Sequence, residues 1–344
     1  MRIGLIAPPW VPVPPVRYGG TEQVVHDLAC ELTALGHEVR LFTVGESTCP
    51  VRREWYFDTP AEPLGNTVAE SAHVLAAYKA LADGDVIHDH TILGPLIAGR
   101  LPGLPPIVAT NHGPFTAETR AIYRESARNA AVVAISQSQR SAAPEVPVAA
   151  VIHHGIDLQR YSYGEGDGDY LLFVGRMSPD KGLHRAIEVA RRAGRRLVVI
   201  SKMREPEEHA YYEQAVVPLL GADVELLDEI SFDERIAVMR RATAVLNPIS
   251  WPEPFGLVMA EALACGTPVL AFPNGAAAEI VDDGKTGYLC PDESGMVSAL
   301  SHIGAIDRRR CREAAEQRFD RARMAADHER LYKALVDNDP GSAG

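Results

Sequence analysis

Two carboxylates, Glu253 and Glu261, stand in the run Trp-Pro-Glu-Pro-Phe-Gly-Leu-Val-Met-Ala-Glu-Ala-Leu-Ala-Cys-Gly at 251–266. Pro252 and Pro254 keep the approach extended, so a helix can begin only at about Phe255. Gly266, Thr267 and Pro268 stop it. Along such a helix the two carboxylates lie roughly 12 Å apart, beyond the roughly 5 to 9.5 Å that a hydrolase acid and its partner require. The first backbone N–H groups, near Phe255, Gly256, Leu257 and Val258, form an anion site. Carboxylates too far apart to share one bond, flanking a phosphate-ready helix end, suit a ligand with two polyhydroxyl ends and phosphate between. A nucleotide-sugar has that shape.

The pattern Glu-x-Phe-Gly-Leu-x-x-x-Glu, here Glu253 to Glu261, resembles the signature of the retaining glycosyltransferases of the GT-B fold, in particular the large family 4. The resemblance implies that Glu253 contacts the donor sugar's hydroxyls and Glu261 the ribose. Gly-Arg-Met-Ser-Pro-Asp-Lys-Gly at 175–182 resembles the family segment whose two cations, here Arg176 and Lys181, bind the donor's diphosphate. Chemistry makes the same demand, because negative charge grows on the β-phosphate as the sugar leaves. Arg176 offers a forked contact and Lys181 a point charge. Lys202 is either a third cation for the diphosphate or a partner for Glu205 or Glu207. Gly19 and Gly20, after Tyr18, correspond to the loop facing the diphosphate, and His112 of Thr110-Asn111-His112-Gly113 to a histidine beside the reacting sugar. Asp228 to Ser231 falls where the family's base lies, and Glu279 reads as structural. His153 and His154 replace the Pro-Asn usual in the family, with no role implied. His88-Asp89-His90 invites a metal reading, but two histidines one residue apart at a strand end are expected to point to opposite sides, which argues against it.

These residues must be held by strand ends and helix starts. Apolar runs at 3–7, 38–44, 85–88, 106–110, 131–135 and 148–152 predict strands, with helices between most of them. The pattern restarts at 169–175, 196–201, 223–227, 243–247 and 268–272. Such alternation predicts an α/β protein with parallel, doubly wound sheets. The first helix is expected over 21–36 with Thr21 as N-cap, another over about 180–193, and the last over about 320–335 before a frayed tail. GEGDGD at 164–169 has the composition of a linker. The resemblance implies two Rossmann-like domains facing a cleft: an acceptor domain at 1–160, a donor domain at 161–318, and 319–344 as a helix returning to the first domain, with its tail.

A chain of 344 residues suits two domains. The net charge of −12 argues against nucleic acid as a partner. Residues 1–160 hold 12 basic and 16 acidic residues, so no basic excess draws that half to anionic lipid. The clusters at 191–196 and 307–312 are basic and read as solvated helix faces. No apolar stretch approaches the roughly 20 residues of a membrane span, and the opening MRIGLIAPPW is not a signal peptide, so the expected location is the cytoplasm. Five scattered cysteines without Cys-x-x-Cys suggest neither a disulfide framework nor a zinc site. The resemblance implies retention and independence of metal, so the expectation is a retaining hexosyltransferase, metal-independent and without cofactor, that takes a nucleotide-sugar, UDP-sugar favoured, and a soluble small-molecule or glycan acceptor. An epimerase or phosphorylase of the same fold, or a silent nucleotide-sugar binding subunit, is the alternative. The acceptor and the oligomeric state are not legible.

Overall fold

Short runs rich in Val, Ile and Leu, each closed by a turn, become the strands of two parallel sheets. The computed structural model describes residues 1–16 and 19–338. The chain forms two units: Met1–Gly155 together with the segment from Arg321 onward, and Ile156–Asp320. In the first unit the strands are β1 (Arg2–Ile6), β2 (Glu38–Thr43), β3 (Arg52–Trp55), β4 (Val86–Asp89), β5 (Ile107–Thr110), β6 (Ala131–Ala134) and β7 (Val148–Val151), ordered β3-β2-β1-β4-β5-β6-β7. In the second they are β8 (Tyr170–Arg176), β9 (Arg196–Lys202), β10 (Val224–Leu227), β11 (Ala244–Asn247), β12 (Val269–Ala271) and β13 (Gly287–Leu289), ordered β10-β9-β8-β11-β12-β13. All these pairings are parallel.

Both sheets are therefore doubly wound, as the α/β GT-B expectation requires. Strand order reverses between β1 and β4 in one and between β8 and β11 in the other. A ligand of such a sheet binds at the carboxyl ends of the strands flanking that reversal. Apolar side chains on both faces fix the sheets: Ile6, Phe42, Val74, Tyr78, Leu81 and Ile87 form one cluster of the first core, each contributing about 1.5–3 kcal/mol by leaving water. The helix Arg321–Asp337 packs on the helix Gly20–Ala34, where the Arg321 guanidinium meets Asp27 at 3.4 Å and Glu31 at 2.6 Å. It returns to the first unit, as expected.

Several local expectations are corrected. The first helix starts at Gly20 with Gly19 in the N-cap position, so Thr21 lies inside it and caps nothing. The helices expected from 180 and 255 start at Leu183 and Leu257, because Gly182 and Gly256 take left-handed backbone, with φ of 78° and 98°. Residues 164–169 are not a loose linker: Gly164 N–H donates to the Cys265 carbonyl and Gly168 N–H to that of Arg241. Nor is 307–312 simply a solvated face. Arg308 donates to the carbonyls of Gly164, Ala242 and Arg240, and Arg312 to those of Tyr161 and Ala264. Tyr18 and the tail from residue 339 lie outside the described residues.

Candidate active site

In the second unit the expected residues gather at the reversal between β8 and β11. Arg176 ends β8 and pairs in register with Lys202, which ends β9, and the Lys202 carbonyl accepts from Met177 N–H at 2.9 Å. Two cations thus end neighbouring strands. The Arg176 guanidinium lies 3.6 Å from Asp180. Lys181 sits in the following turn, and its ammonium reaches Glu253 Oε2 at 2.6 Å, with both side chains largely shielded. The same ammonium lies 5.5 Å from the centre of the Trp251 ring.

Glu253 owes its position to a turn distant in sequence. Ala276 N–H donates to the Glu253 carbonyl at 2.9 Å, and Gly275, at φ 61°, packs so closely that a Cβ there would stand 2.2 Å from that carbonyl oxygen. Only glycine fits without moving Glu253. After it, Phe255 is buried and Gly256 turns the chain into the helix Leu257–Ala264, whose first amides precede any intrahelical acceptor. Glu261, further along and buried, is held by two residues the sequence did not single out. Tyr161 donates its hydroxyl to Oε1 at 3.0 Å, and Arg235 forks across both carboxylate oxygens, with Nη2 3.3 Å from Oε1. Their separation from Glu261 in the chain left no signal to connect them. At 228–231, Ser231 caps the helix Phe232–Arg241 by accepting from Glu234 N–H, and Glu229 pairs with Arg204.

In the first unit the corresponding reversal lies between β1 and β4. Gly19 and Gly20 follow β1 at the start of a helix, and Glu22 folds back against them. A Cβ on Gly19 would stand 2.9 Å from Glu22 Oε2 and 2.7 Å from Pro15 Cβ. Burial pushes the Glu22 carboxyl up to about 7.

Within β4, at His88, a chain of histidines begins, of which only His112 was expected to act. His88 is bonded to the Tyr332 hydroxyl at 2.6 Å and to Thr110 Oγ1 at 2.7 Å. The His88 and His90 rings lie 4.0 Å apart between centroids, so the expectation that they diverge is corrected: residues i and i+2 of a strand share a face. His90 Nδ1 lies 2.8 Å from His112 Nε2, and His112 stacks on His154 at 5.1 Å and 18°. Among the described residues, these rings form no group with ligand atoms close enough to hold a metal. Burial, with His328 as the lesser cause, pushes His112 down to about 3, and burial holds His90 well below the usual range. Both rings are therefore neutral at physiological pH. In a neutral hydrogen-bonded pair, one outer nitrogen is a donor and the other an acceptor. Those atoms, His90 Nε2 and His112 Nδ1, are buried without a partner among the described residues. A sugar hydroxyl both donates and accepts.

Residues 157–318 match the family model of glycosyl transferases group 1, and residues 18–160 that of glycosyltransferase family 4. A glycogen synthase of Mycobacterium tuberculosis is 27% identical, the alignment covering 93% of this chain and 92% of that protein. The solved structure of AviGT4, a glycosyltransferase involved in avilamycin A biosynthesis, has a TM-score of 0.73 at 27% identity over 98% of both chains. Anabaena HepE in complex with UDP-glucose has a TM-score of 0.77 at 21% identity, over 97% of this chain and 100% of that one. The chain belongs to the group 1 glycosyltransferases of the GT-B fold. It is a transferase that uses a nucleotide-sugar donor.

Proposed function

We propose that the protein moves a hexosyl group from a UDP-sugar to a soluble small-molecule or glycan acceptor, with retention of anomeric configuration, metal-independently and in the cytoplasm. The observation that carries this reading is the Lys181–Glu253 pair at 2.6 Å beside the strand end that bears Arg176. Arg176, Lys181 and Lys202 supply the positive charge that other glycosyltransferases draw from a metal, and the amides at Phe255, Gly256, Leu257 and Val258 add to it. A diphosphate competes with Glu253 for the Lys181 ammonium, and Glu253 then turns to the sugar hydroxyls. Glu261, already fixed by Arg235 and Tyr161, offers its remaining lone pairs to the ribose. In the first unit Gly19 and Gly20 present backbone to phosphate, and His112, neutral, exchanges hydrogen bonds with the sugar. Retention rests on the family resemblance alone, which the motif Glu253 to Glu261 carries; the uracil base is supported by a protein of the same fold that binds UDP-glucose.

Thermal-shift measurements with UDP, GDP and ADP and their sugars test the donor, since a ligand of the folded state raises the melting temperature. The largest shift is expected with UDP and a UDP-sugar. Arg176→Ala and Lys181→Ala should each lower turnover by roughly 10² or more with the fold intact. Near-wild-type turnover in both would remove the diphosphate site.

A further inference from the structure

Away from the strand ends that carry the donor chemistry, three soft donor atoms meet on the helix Gly20–Ala34. His26 and Cys30 lie one turn apart, so their side chains leave the same face, and His26 Nε2 stands 3.8 Å from Cys30 Sγ. Cys49, on the loop after β2, reaches the same place, and the three ligand atoms all lie within 4.8 Å of one another. A tetrahedral zinc ion, with bonds of roughly 2.0–2.3 Å, spaces its ligand atoms by roughly 3.5–3.8 Å. Small side-chain rotations therefore complete the geometry. His26 Nδ1 is buried without a hydrogen-bond partner among the described residues, so nothing there anchors the ring against such a rotation.

Access and charge fit as well. His26 and Cys30 are partly open to solvent while Cys49 is buried, which gives an ion an entry and then a shelter. Arg321 stands near Cys30 but is paired with Asp27 and Glu31. Two thiolates and an imidazole favour a thiophilic cation over magnesium or calcium. Replacing two thiol protons by one dication leaves the net charge unchanged, so the cost of burying a lone charge does not arise.

We propose that His26, Cys30 and Cys49 form a zinc site with its fourth position open to water. On binding, the ion takes the lone pair of His26 Nε2 and displaces the protons of both thiols to solvent. The metal ties the helix that begins at Gly20 to the loop following β2 and takes no part in the transfer.

Titration of the full chain with Co2+, kept reduced with a phosphine, tests this. One equivalent should bring a thiolate-to-cobalt charge-transfer band with strong tetrahedral ligand-field bands, both erased by added Zn2+. Cys30→Ser and Cys49→Ser should lose the charge-transfer band, and Cys290→Ser should keep it, with circular dichroism reporting the folding of each. In the unaltered protein, Zn2+ should protect Cys30 and Cys49, but not Cys290, from alkylation mapped by mass spectrometry. Absence of the charge-transfer band, uptake unchanged in Cys30→Ser, or unprotected thiols would overturn the site.

Discussion

Glu253 and Glu261 flank the start of one helix, yet their partners give them different work. Glu253 holds one partner, the Lys181 ammonium, which on the proposed function a diphosphate takes away, whereas Glu261 is locked by a guanidinium and a phenol. If Glu261 meets the ribose, Glu261→Gln should weaken UDP and UDP-sugar alike by about 1–3 kcal/mol, and Glu253→Gln should spare UDP. Calorimetry showing equal losses of UDP affinity in both variants contradicts the assignment. Glu22 carries one part of the pH dependence, as the buried Asp89 does, also raised, to about 6. The Glu22 carboxyl is raised from 4.5 to about 7 by burial, so the neutral form suits the fold; the stability it contributes is complete below pH 4.5 and is lost as pH rises through 7. Glu22→Gln should therefore remove up to about 3 kcal/mol of the stability lost between pH 5 and pH 8. Denaturant melts at the two pH values that fall equally for variant and wild type would place that carboxyl in water.

At the scale of elements, the turn at Gly275 and the segment bearing Glu253 act as one piece. Gly275→Ala drives a Cβ into the Glu253 backbone at a left-handed position, and should cost about 2 kcal/mol or more. It should also depress turnover, because Glu253 has to shift. An alanine variant with wild-type urea midpoint and turnover would separate the turn from the site. Among the described residues, eleven of the thirteen strands were readable, because each is an apolar run between turn residues. The other two defeat that signal: Arg-Arg-Glu-Trp of β3 is charged, and Gly-Tyr-Leu of β13 opens on glycine and offers no run of apolar residues such as the Val-Leu-Ala of β12. The helix starts at 183 and 257 were displaced because a glycine's backbone dihedral is set by its tertiary neighbours, not by its propensity. The local motifs exposed Arg176, Lys181, Glu253 and Glu261. Arg235, Tyr161 and the ring chain through His90 and His154 were not legible, since those partners converge only through strand order.

At the scale of the whole molecule, the second unit is one continuous stretch, while the first is assembled from two distant ones. Tyr332 and His328, on the final helix, cover His88, and Gly155 N–H reaches the Met324 sulfur. A fragment of residues 156–320 should fold alone and retain UDP binding by the donor residues it contains. A fragment of residues 1–155 should melt non-cooperatively until a peptide of residues 321–344 is supplied. Circular dichroism melts that show cooperative unfolding of 1–155 alone would refute this dependence. The same connectivity governs birth on the ribosome. Although residues 1–155 of the first unit are translated before the second unit, the helix that completes the first unit leaves the exit tunnel after the whole of residues 156–320, so the nascent chain can complete the later unit while β4 and its histidines still wait, uncovered, for the segment that closes over them. A chaperone that shields nascent apolar surface has its longer task on the unit that was begun before the other.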